Sequence, residues 1–269
     1  MKKIIKYTAP ALEKGLDILE LLSQSKNGLT QAEIANKLKR SVNEIYRMLN
    51  ILIQRKYIEA YKNSDIYNLS YKLLEISLHH QPIKNLIQNS ISMMREIAQL
   101  CNQSLHLSIY SAGKLLVVAQ VDSPSNFNYA VAVGSVFDLL ETSSGRVLLS
   151  FQNEQERNRR LKIRKFYIKL DKNYHLSSSA LKTIENKFSS KTIHEIIKNK
   201  YEVVKSLQIK GITNISVPIL DNNQNAIAAL TIPFASRINS KGDLNIKKTT
   251  NILLNYANKL SYTFGYIKK

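Results

Sequence analysis

The sequence contains a single cysteine, Cys101, among its 269 residues. One thiol cannot form an internal disulfide framework, and no CxxC pair is present that would bind a metal ion. The histidines are scattered or directly adjacent, without the spacing of metal ligands. We therefore expect neither a disulfide nor a metal site.

Long apolar runs are absent as well. No segment approaches the roughly 18–20 apolar residues that cross a bilayer. Lys2 and Lys3 are not followed by the apolar region of a signal peptide. We expect no membrane partner, and the cytoplasm is the predicted location.

Acidic residues and catalytic motifs are scarce. Asp and Glu number 20 against 39 Lys and Arg, which gives a formal charge of +19. The patterns GxSxG, HExxH, GxGxxG and the P-loop are missing, so no catalytic residue and no cofactor are predicted. The positive charge suits a partner with phosphates. However, residues 1–81 carry a surplus of only five positive charges and residues 82–269 a surplus of fourteen.

Two helix-start signals lie at Thr30 and Ser41. Both begin a Ser/Thr-x-x-Glu sequence, the capping box in which the hydroxyl and the carboxylate each bind a backbone amide at the helix start. They predict a short helix from 31 to about 38 and a longer helix from 42 to about 55. Two helices joined by a tight polar turn are typical of a helix-turn-helix, whose second helix enters the DNA major groove.

The neighbouring segments extend this motif. A helix is predicted over 11–24, with an inward stripe of Leu12, Leu16, Leu19 and Leu22. Two alternating runs, at 57–61 and 66–69, predict a β-hairpin. Together these elements predict a winged helix-turn-helix over residues 8–69. A further helix in the linker, residues 70–82, is expected to end near Pro82.

Residues 83–269 are predicted to form an α+β domain. Hairpins mixed with helices indicate an antiparallel sheet. The predicted strands are 104–110, 115–121, 129–133, 213–220 and 226–233, and the predicted helices are 83–101, 142–151, 153–163, 178–200 and 244–264. Residues 157–172 hold eight basic residues, which form either a solvated helix and loop or a second anion surface.

Both parts of the chain resemble the IclR family of bacterial transcription regulators. The N-terminal resemblance is carried by ALEKGLDILELL, GLTQAEIANKL, RSVNEIYRMLNILIQRKYIE and YNLSYKLLEI. LLVVAQVDSP, VGSVFDLLETSSGRVLLS and KGITNISVPILDNNQNAIAALTI carry the C-terminal one. The resemblance implies a GAF-like α/β effector domain that binds a small organic acid or related metabolite, and dimers that pair into tetramers. We therefore expect a regulator that binds a double-stranded DNA operator as a homodimer or tetramer.

The candidate DNA-binding residues lie at the start of the second helix and at the wing tip. Asn and Arg side chains can pair with base edges, a carboxylate can accept from a cytosine amino group, and Arg, Lys and Ser can contact phosphate. Where Glu44 stands, family members often have Thr or Ser. The alternative is an ordinary solvated helix face. The candidates are Arg40, Ser41, Asn43, Glu44, Arg47 and Lys62.

The candidate effector-binding residues are Ser143, Ser144, Asn214, Ser216 and Thr231. The two serines lie at a predicted helix start, where free amides and the helix dipole favour an anion. The resemblance implies that the other three residues converge on the same face. It also places Asn214 at a common cysteine position and Val204 at an acidic one, so we expect an anionic effector. The alternatives are simple N-capping and polar residues on a half-buried strand.

Two other classes of function remain open for the second domain. It could be an enzyme or a protein-interaction domain fused to a DNA-binding head. A nucleophile hydrogen-bonded to a base would favour the enzyme, and a filled apolar core without a cavity would favour the interaction domain. A pocket of convergent polar groups without such a pair would favour a sensor.

Overall fold

The computed structural model describes residues 9–60, 65–79, 81–126, 128–170, 174, 176–236 and 244–267. The chain divides into two compact units between Lys84 and Asn85. Within the described residues, no helix is long and apolar enough to cross a membrane.

The first unit is a three-helix cluster with a small antiparallel sheet. Its strand order is β1-β3-β2. This architecture confirms the predicted winged helix-turn-helix, and the turn of the hairpin lies outside the described residues. The elements are α1 (Pro10–Ser23), β1 (Leu29–Thr30), α2 (Gln31–Lys37), α3 (Val42–Gln54), β2 (Ile58–Ala60), β3 (Ile66–Leu69) and α4 (Lys72–Leu78).

Both predicted capping boxes are formed. The Thr30 hydroxyl accepts from the Glu33 amide, and the Glu33 carboxylate accepts from the Thr30 amide at 2.7 Å. Ser41 and Glu44 repeat this arrangement at the start of α3. Each box satisfies backbone amides that have no acceptor within the helix, so the two helix starts are fixed by local sequence.

The apolar stripe of α1 differs from the prediction. Ile18, Leu19 and Leu22 are buried, whereas Leu12 and Leu16 are 63% and 49% exposed. Only the C-terminal half of α1 packs on the core formed with α2 and α3, and its first turns extend past that core.

The second unit is a six-stranded sheet with helices on both faces. Its strand order is β6-β5-β4-β9-β8-β7, and every neighbouring pair is antiparallel. This confirms the predicted α+β class with an antiparallel sheet. The elements are α5 (Gln81–Cys101), β4 (Leu105–Ser111), β5 (Lys114–Val121), β6 (Val136–Asp138), α6 (Ser143–Ser150), α7 (Glu154–Leu170), α8 (Ser178–Lys187), α9 (Ser190–Asn199), β7 (Glu202–Lys205), β8 (Ile212–Leu220), β9 (Ala226–Ala235) and α10 (Ile246–Thr263).

The alternation of side chains along the strands creates two separate cores. Leu230 and Ile232 of β9 pack in a cluster with α5 and α10. Ala229 of the same strand packs in a second cluster with α6 and α9. Because adjacent strand residues point to opposite faces, residue 231 is directed to the α6 side of the sheet.

One predicted strand is absent, and another segment takes its place. Residues 129–133 are irregular, and the edge strand is β6. The chain turns at Gly134, whose φ is +87°. The Gly134 amide donates to the Val117 carbonyl of β5 at 2.9 Å, so hydrogen bonding to β5 begins at this turn. Val133 is 58% exposed, so its side chain is not part of the buried core.

Three further boundaries differ from the prediction. The segment 178–200 is two helices, because Ser189 caps a new helix by accepting from the Thr192 amide. Helix α7 continues to Leu170. The short strand β7 was not predicted, and it pairs along β8 from Glu202 to Lys205.

Helix α6 is closely packed within the second unit. All eight of its residues are buried. A Cβ placed on Gly145 would lie 2.1 Å from the Leu139 carbonyl oxygen, which belongs to the backbone and cannot rotate away. Glycine at this position therefore sets how closely α6 approaches the segment after β6.

We predict that Gly145→Ala destabilises the second unit, because the added methyl group overlaps the Leu139 backbone. Overpacking of this kind costs about 3 kcal/mol. Gly15→Ala is the matched control, since its Cβ meets nothing within 4 Å on α1 and should stabilise the helix by about 0.5–1 kcal/mol. Thermal unfolding followed by circular dichroism measures both. An unchanged midpoint for Gly145→Ala would contradict the packing described.

Candidate functional site

The N-terminal part of α3 carries an exposed polar face. Asn43 and Arg47 are exposed, and Tyr46 between them is 52% exposed. The opposite side of the helix is buried through Ile45 and Leu49. Asn43 and Arg47 lie four residues apart, so their side chains share one helix face. Tyr46 was missed in the sequence because an aromatic residue in an amphipathic helix is ordinarily expected in the core.

Glu44 is engaged within the first unit. Its carboxylate accepts from Lys14 Nζ and from the Ser41 amide and hydroxyl. These contacts, with Lys14 the strongest, lower the pKa of Glu44 to about 2. The structure therefore gives both Ser41 and Glu44 a capping role, and their contact with DNA stays a prediction.

Arg40 joins the turn before α3 to α1. Its Nη2 donates to Asp17 Oδ2 at 3.0 Å. Its Nε is buried without a hydrogen-bond partner among the described residues. The remaining candidate, Lys62, lies outside the described residues.

Three buried hydroxyl groups form a chain between α6 and the sheet. Ser143 Oγ lies 2.6 Å from Ser216 Oγ, and Ser216 Oγ lies 2.8 Å from Thr231 Oγ1. Ser216 and Thr231 are directly paired across β8 and β9. The structure thus brings together three of the five predicted effector-binding residues, and they bind one another.

A small cavity adjoins this chain at the N-terminus of α6. Its volume is about 30 Å³, the space of about one water molecule in the liquid. Its lining contains no carboxylate and no ammonium group. The lining residues, which include the predicted Ser144, Asn214 and Thr231, are His106, Leu115, Tyr129, Val131, Phe137, Thr142, Ser144, Ser206, Gln208, Asn214, Thr231 and Pro233.

His106 is a polar residue of this cavity that the sequence did not reveal. It pairs with Thr231 across β4 and β9, so both side chains lie on the α6 side of the sheet. His106 is 6% exposed, and its Nδ1 has no hydrogen-bond partner among the described residues. Burial lowers the pKa of His106 to about 4, so the imidazole is neutral near pH 7. The strand register is the signal that locates it.

The helix start at this cavity has the polarity of an anion site. Thr142 caps α6 by accepting from the Gly145 amide at 3.2 Å. The first amides of a helix have no acceptor within the helix. The helix dipole adds a partial positive charge at the same end.

An ion pair holds α6 to the edge strand β7. Arg146 Nε donates to both carboxylate oxygens of Glu202, at 2.9 and 3.0 Å. Arg146 Nη1 also donates to the Leu140 carbonyl at 2.7 Å. Burial raises the pKa of Glu202, and Arg146 opposes that rise. This pair was not predicted, because β7 itself was not.

A buried arginine, Arg164, lines a second cavity of about 150 Å³. Arg164 Nε donates to Asp138 Oδ2 at 2.7 Å, and Nη1 donates to Glu185 Oε1 at 2.9 Å. The Arg164 Nη2 has no partner among the described residues. The lining residues are Gly113, Lys114, Val136, Phe137, Asp138, Glu141, Arg164, Tyr167, Ile168, Tyr174 and Gln208.

The polar side chains that line the first cavity can form hydrogen bonds, and none of them is a carboxylate or an ammonium group. Ser143, the first residue of α6, has its hydroxyl bound to another hydroxyl and not to a base. In the described part of the chain, no group of three or more His, Cys, Asp or Glu side chains could hold a metal ion.

A winged helix-turn-helix is a DNA-binding fold, and here a separate domain with an antiparallel sheet follows it, an organisation typical of two-domain transcriptional regulators. Residues 77–262 match the family described as bacterial transcriptional regulator IclR C-terminal. Residues 11–60 match the IclR helix-turn-helix domain. The chain belongs to the IclR family of transcriptional regulators.

Individual relatives share this organisation over nearly the whole chain. The HTH-type transcriptional regulator KdgR of Escherichia coli K12 is 23% identical over 254 residues, which cover 94% of this chain and 92% of that protein. The IclR structure from Thermotoga maritima has a TM-score of 0.67 and 23% identity, covering 95% of this chain and 98% of that one. An IclR homolog from Microbacterium hydrocarbonoxydans, solved with 4-hydroxybenzoate, has a TM-score of 0.72 and 15% identity, covering 94% and 98%.

Proposed function

We propose that this regulator binds its operator with the N-terminal face of α3 and that a small anionic metabolite in the α6 cavity changes its affinity for that operator. The observation that carries the effector proposal is the His106 cavity. It combines a buried, unpartnered imidazole nitrogen with a helix start and a lining free of carboxylates. These features favour a ligand that accepts hydrogen bonds and carries negative charge.

Two of the predicted residues, Ser144 and Asn214, line the cavity and support this ligand class. Asn214 can donate through its amide, and Ser144 through its hydroxyl. Val204, which pairs with Asn214 across β7 and β8, is apolar. The acid two residues before it on that strand, Glu202, is already paired with Arg146. The bound 4-hydroxybenzoate of the Microbacterium homolog is itself a small carboxylate, which supports this ligand class.

The size of the cavity adds a constraint. A volume of about 30 Å³ does not hold an organic acid. Part of the lining, Ser206 and Gln208, belongs to the exposed connection between β7 and β8. We propose that this connection shifts when the effector enters. Binding would then alter operator affinity by favouring one arrangement of the DNA-binding units.

The enzyme and interaction-domain alternatives are weaker. The family consists of transcriptional regulators. The cavity lining contains no carboxylate, and the Ser143 hydroxyl in the first turn of α6 binds another hydroxyl and not a base. A polar cavity also differs from the filled apolar core without a cavity that would favour an interaction domain.

For the DNA contact, we predict that Arg47→Ala weakens operator binding and lowers its salt dependence, because a phosphate contact is lost. Asn43→Ala should mainly relax sequence preference, since a base contact is worth about 1–3 kcal/mol. Fluorescence anisotropy measures both on an operator selected from random duplexes. Arg55→Ala, an exposed arginine just beyond the other end of α3, is the matched control. Unchanged affinity and specificity in both variants would remove α3 from the interface.

We also propose that the chain forms a homodimer or a tetramer made of two dimers. One winged helix covers one half-site, and a two-fold pair covers two. Exposed apolar residues on α1 and α4 suit such pairing: Leu12, Leu16, Tyr71, Leu73, Leu74 and Ile76. We predict a mass of at least two chains by light scattering at micromolar concentration, and a monomer would contradict this.

For the effector, we predict that 4-hydroxybenzoate, lactate or gluconate raises the thermal midpoint of the wild-type protein, because a ligand that binds only the folded state stabilises it. Ser143→Leu should abolish the shift, because a larger side chain against Ser216 displaces the neighbouring Thr142 and Ser144 that line the cavity, and operator binding without ligand should persist. Ser143→Ala, which removes the hydroxyl without adding volume, is the control and should retain part of the shift. A wild-type response in Ser143→Leu would place the effector elsewhere.

A further inference from the structure

Two residues that line cavities of the second unit each have a buried polar atom without a hydrogen-bond partner among the described residues. Among the described residues, six buried side-chain nitrogen or oxygen atoms have no hydrogen-bond partner. Of these, His106 Nδ1 and Arg164 Nη2 belong to residues that line the two cavities described above. Arg164 is 1% exposed. Because an unsatisfied buried polar group costs free energy, each atom indicates a missing partner.

The two cavities are neighbours. Phe137 and Gln208 line both of them. Gln208 is exposed and lies in the connection between β7 and β8, so its side chain can leave the wall without unpacking a core. Gly211 in the same connection has a φ of +91° and no atom within 4 Å of an added Cβ, which leaves open space beside the backbone there.

The cavity at His106 and the cavity at Arg164, which we call the His106 end and the Arg164 end, differ in charge. The His106 end has no carboxylate in its lining and lies at the start of α6. At the other end, Asp138 and Glu185 already pair with Arg164. Glu141 and Lys114 also line that cavity and offset each other in formal charge. The His106 end therefore suits a carboxylate, whereas the Arg164 end suits a neutral oxygen that accepts one hydrogen bond.

We propose that the two cavities form one effector site when Gln208 moves aside, and that it takes monocarboxylic acids with a hydroxyl or carbonyl oxygen far from the carboxylate. The carboxylate lies between His106 Nδ1 and the α6 start, and the remote oxygen accepts from Arg164 Nη2. This inference rests on the proposed function and adds the second end of the ligand. A cavity of about 150 Å³ accepts a molecule of about the size of benzene, which suits a short chain or a single ring.

The test compares three series of acids by isothermal titration calorimetry on the full-length protein. The probes are ω-hydroxy acids of four to eight carbon atoms, the unsubstituted alkanoic acids of equal length, and the equivalent dicarboxylic acids. At one chain length the hydroxy acid should bind about tenfold more tightly than either counterpart, because only it places a neutral acceptor on Arg164.

Two variants at the shared wall test the joining of the cavities. Gln208→Trp, which fills the junction from an exposed position, should remove the tenfold preference. Gln208→Ala should keep it. His106→Gln should weaken all acids alike, because it alters the carboxylate end. Arg164→Lys tests the far end directly, and the Gln208 variants keep the proposal testable if that protein does not fold.

Other outcomes overturn the proposal in distinct ways. If alkanoic acids bind as tightly as hydroxy acids, the carboxylate site stands and the Arg164 end is wrong. Tightest binding by dicarboxylic acids would mean that Arg164 takes a second anion, contrary to the assigned charge. A preference that survives Gln208→Trp would mean that the cavities are not joined. If no acid of any series binds, the anionic effector of the proposed function fails, and this inference fails with it.

Discussion

The close approach of α6 to the backbone after β6 is the constraint on which the second unit depends. Gly145 allows it, since any side chain there would overlap the Leu139 carbonyl. The approach brings Ser143 within 2.6 Å of Ser216 and places the start of α6 beside the sheet. Once the helix lies there, its free amides and dipole face a cavity instead of bulk water, where screening would weaken them. The packing of one glycine thus determines the electrostatics of the site.

The buried hydroxyls show why only part of this region is available to a ligand. Ser143, Ser216 and Thr231 satisfy one another across the helix and two strands. A buried polar group with a partner costs little, and one without a partner costs about 1–3 kcal/mol. His106 follows Thr231 in the same cross-strand row, but its Nδ1 has no such partner among the described residues. The polar row therefore leaves its unsatisfied atom on a residue that lines the cavity, where the effector that we propose would supply the missing partner.

Local sequence signals predicted the first unit well. The capping boxes at Thr30 and Ser41 involve residues three apart, so their physics is contained in the sequence. The convergence of Ser143, Ser216 and Thr231 came from family resemblance, since no local pattern relates residues so far apart. The failures have non-local causes. Residues 129–133 alternate like a strand, yet the turn at Gly134 delays pairing with β5. His106 and Arg164 acquire their surroundings only from strand register and helix packing.

In the basic segment 157–172, the number of positive charges in the sequence overstates the charge available to a phosphate partner. Arg157 donates to the carbonyls of Leu149, Ser150 and Gln152. Arg160 pairs with Glu156 and stacks over the Tyr110 ring at 4.4 Å. Arg164 is buried against two carboxylates. These arginines hold α7 to the second unit, so this part of the positive surplus does not describe a surface for phosphates. In the first unit, by contrast, Lys14 and Asp17 of α1 engage Glu44 and Arg40. We therefore propose that specific recognition by α3 depends on Asn43 and Arg47, which are exposed near a helix start that those pairs hold in place.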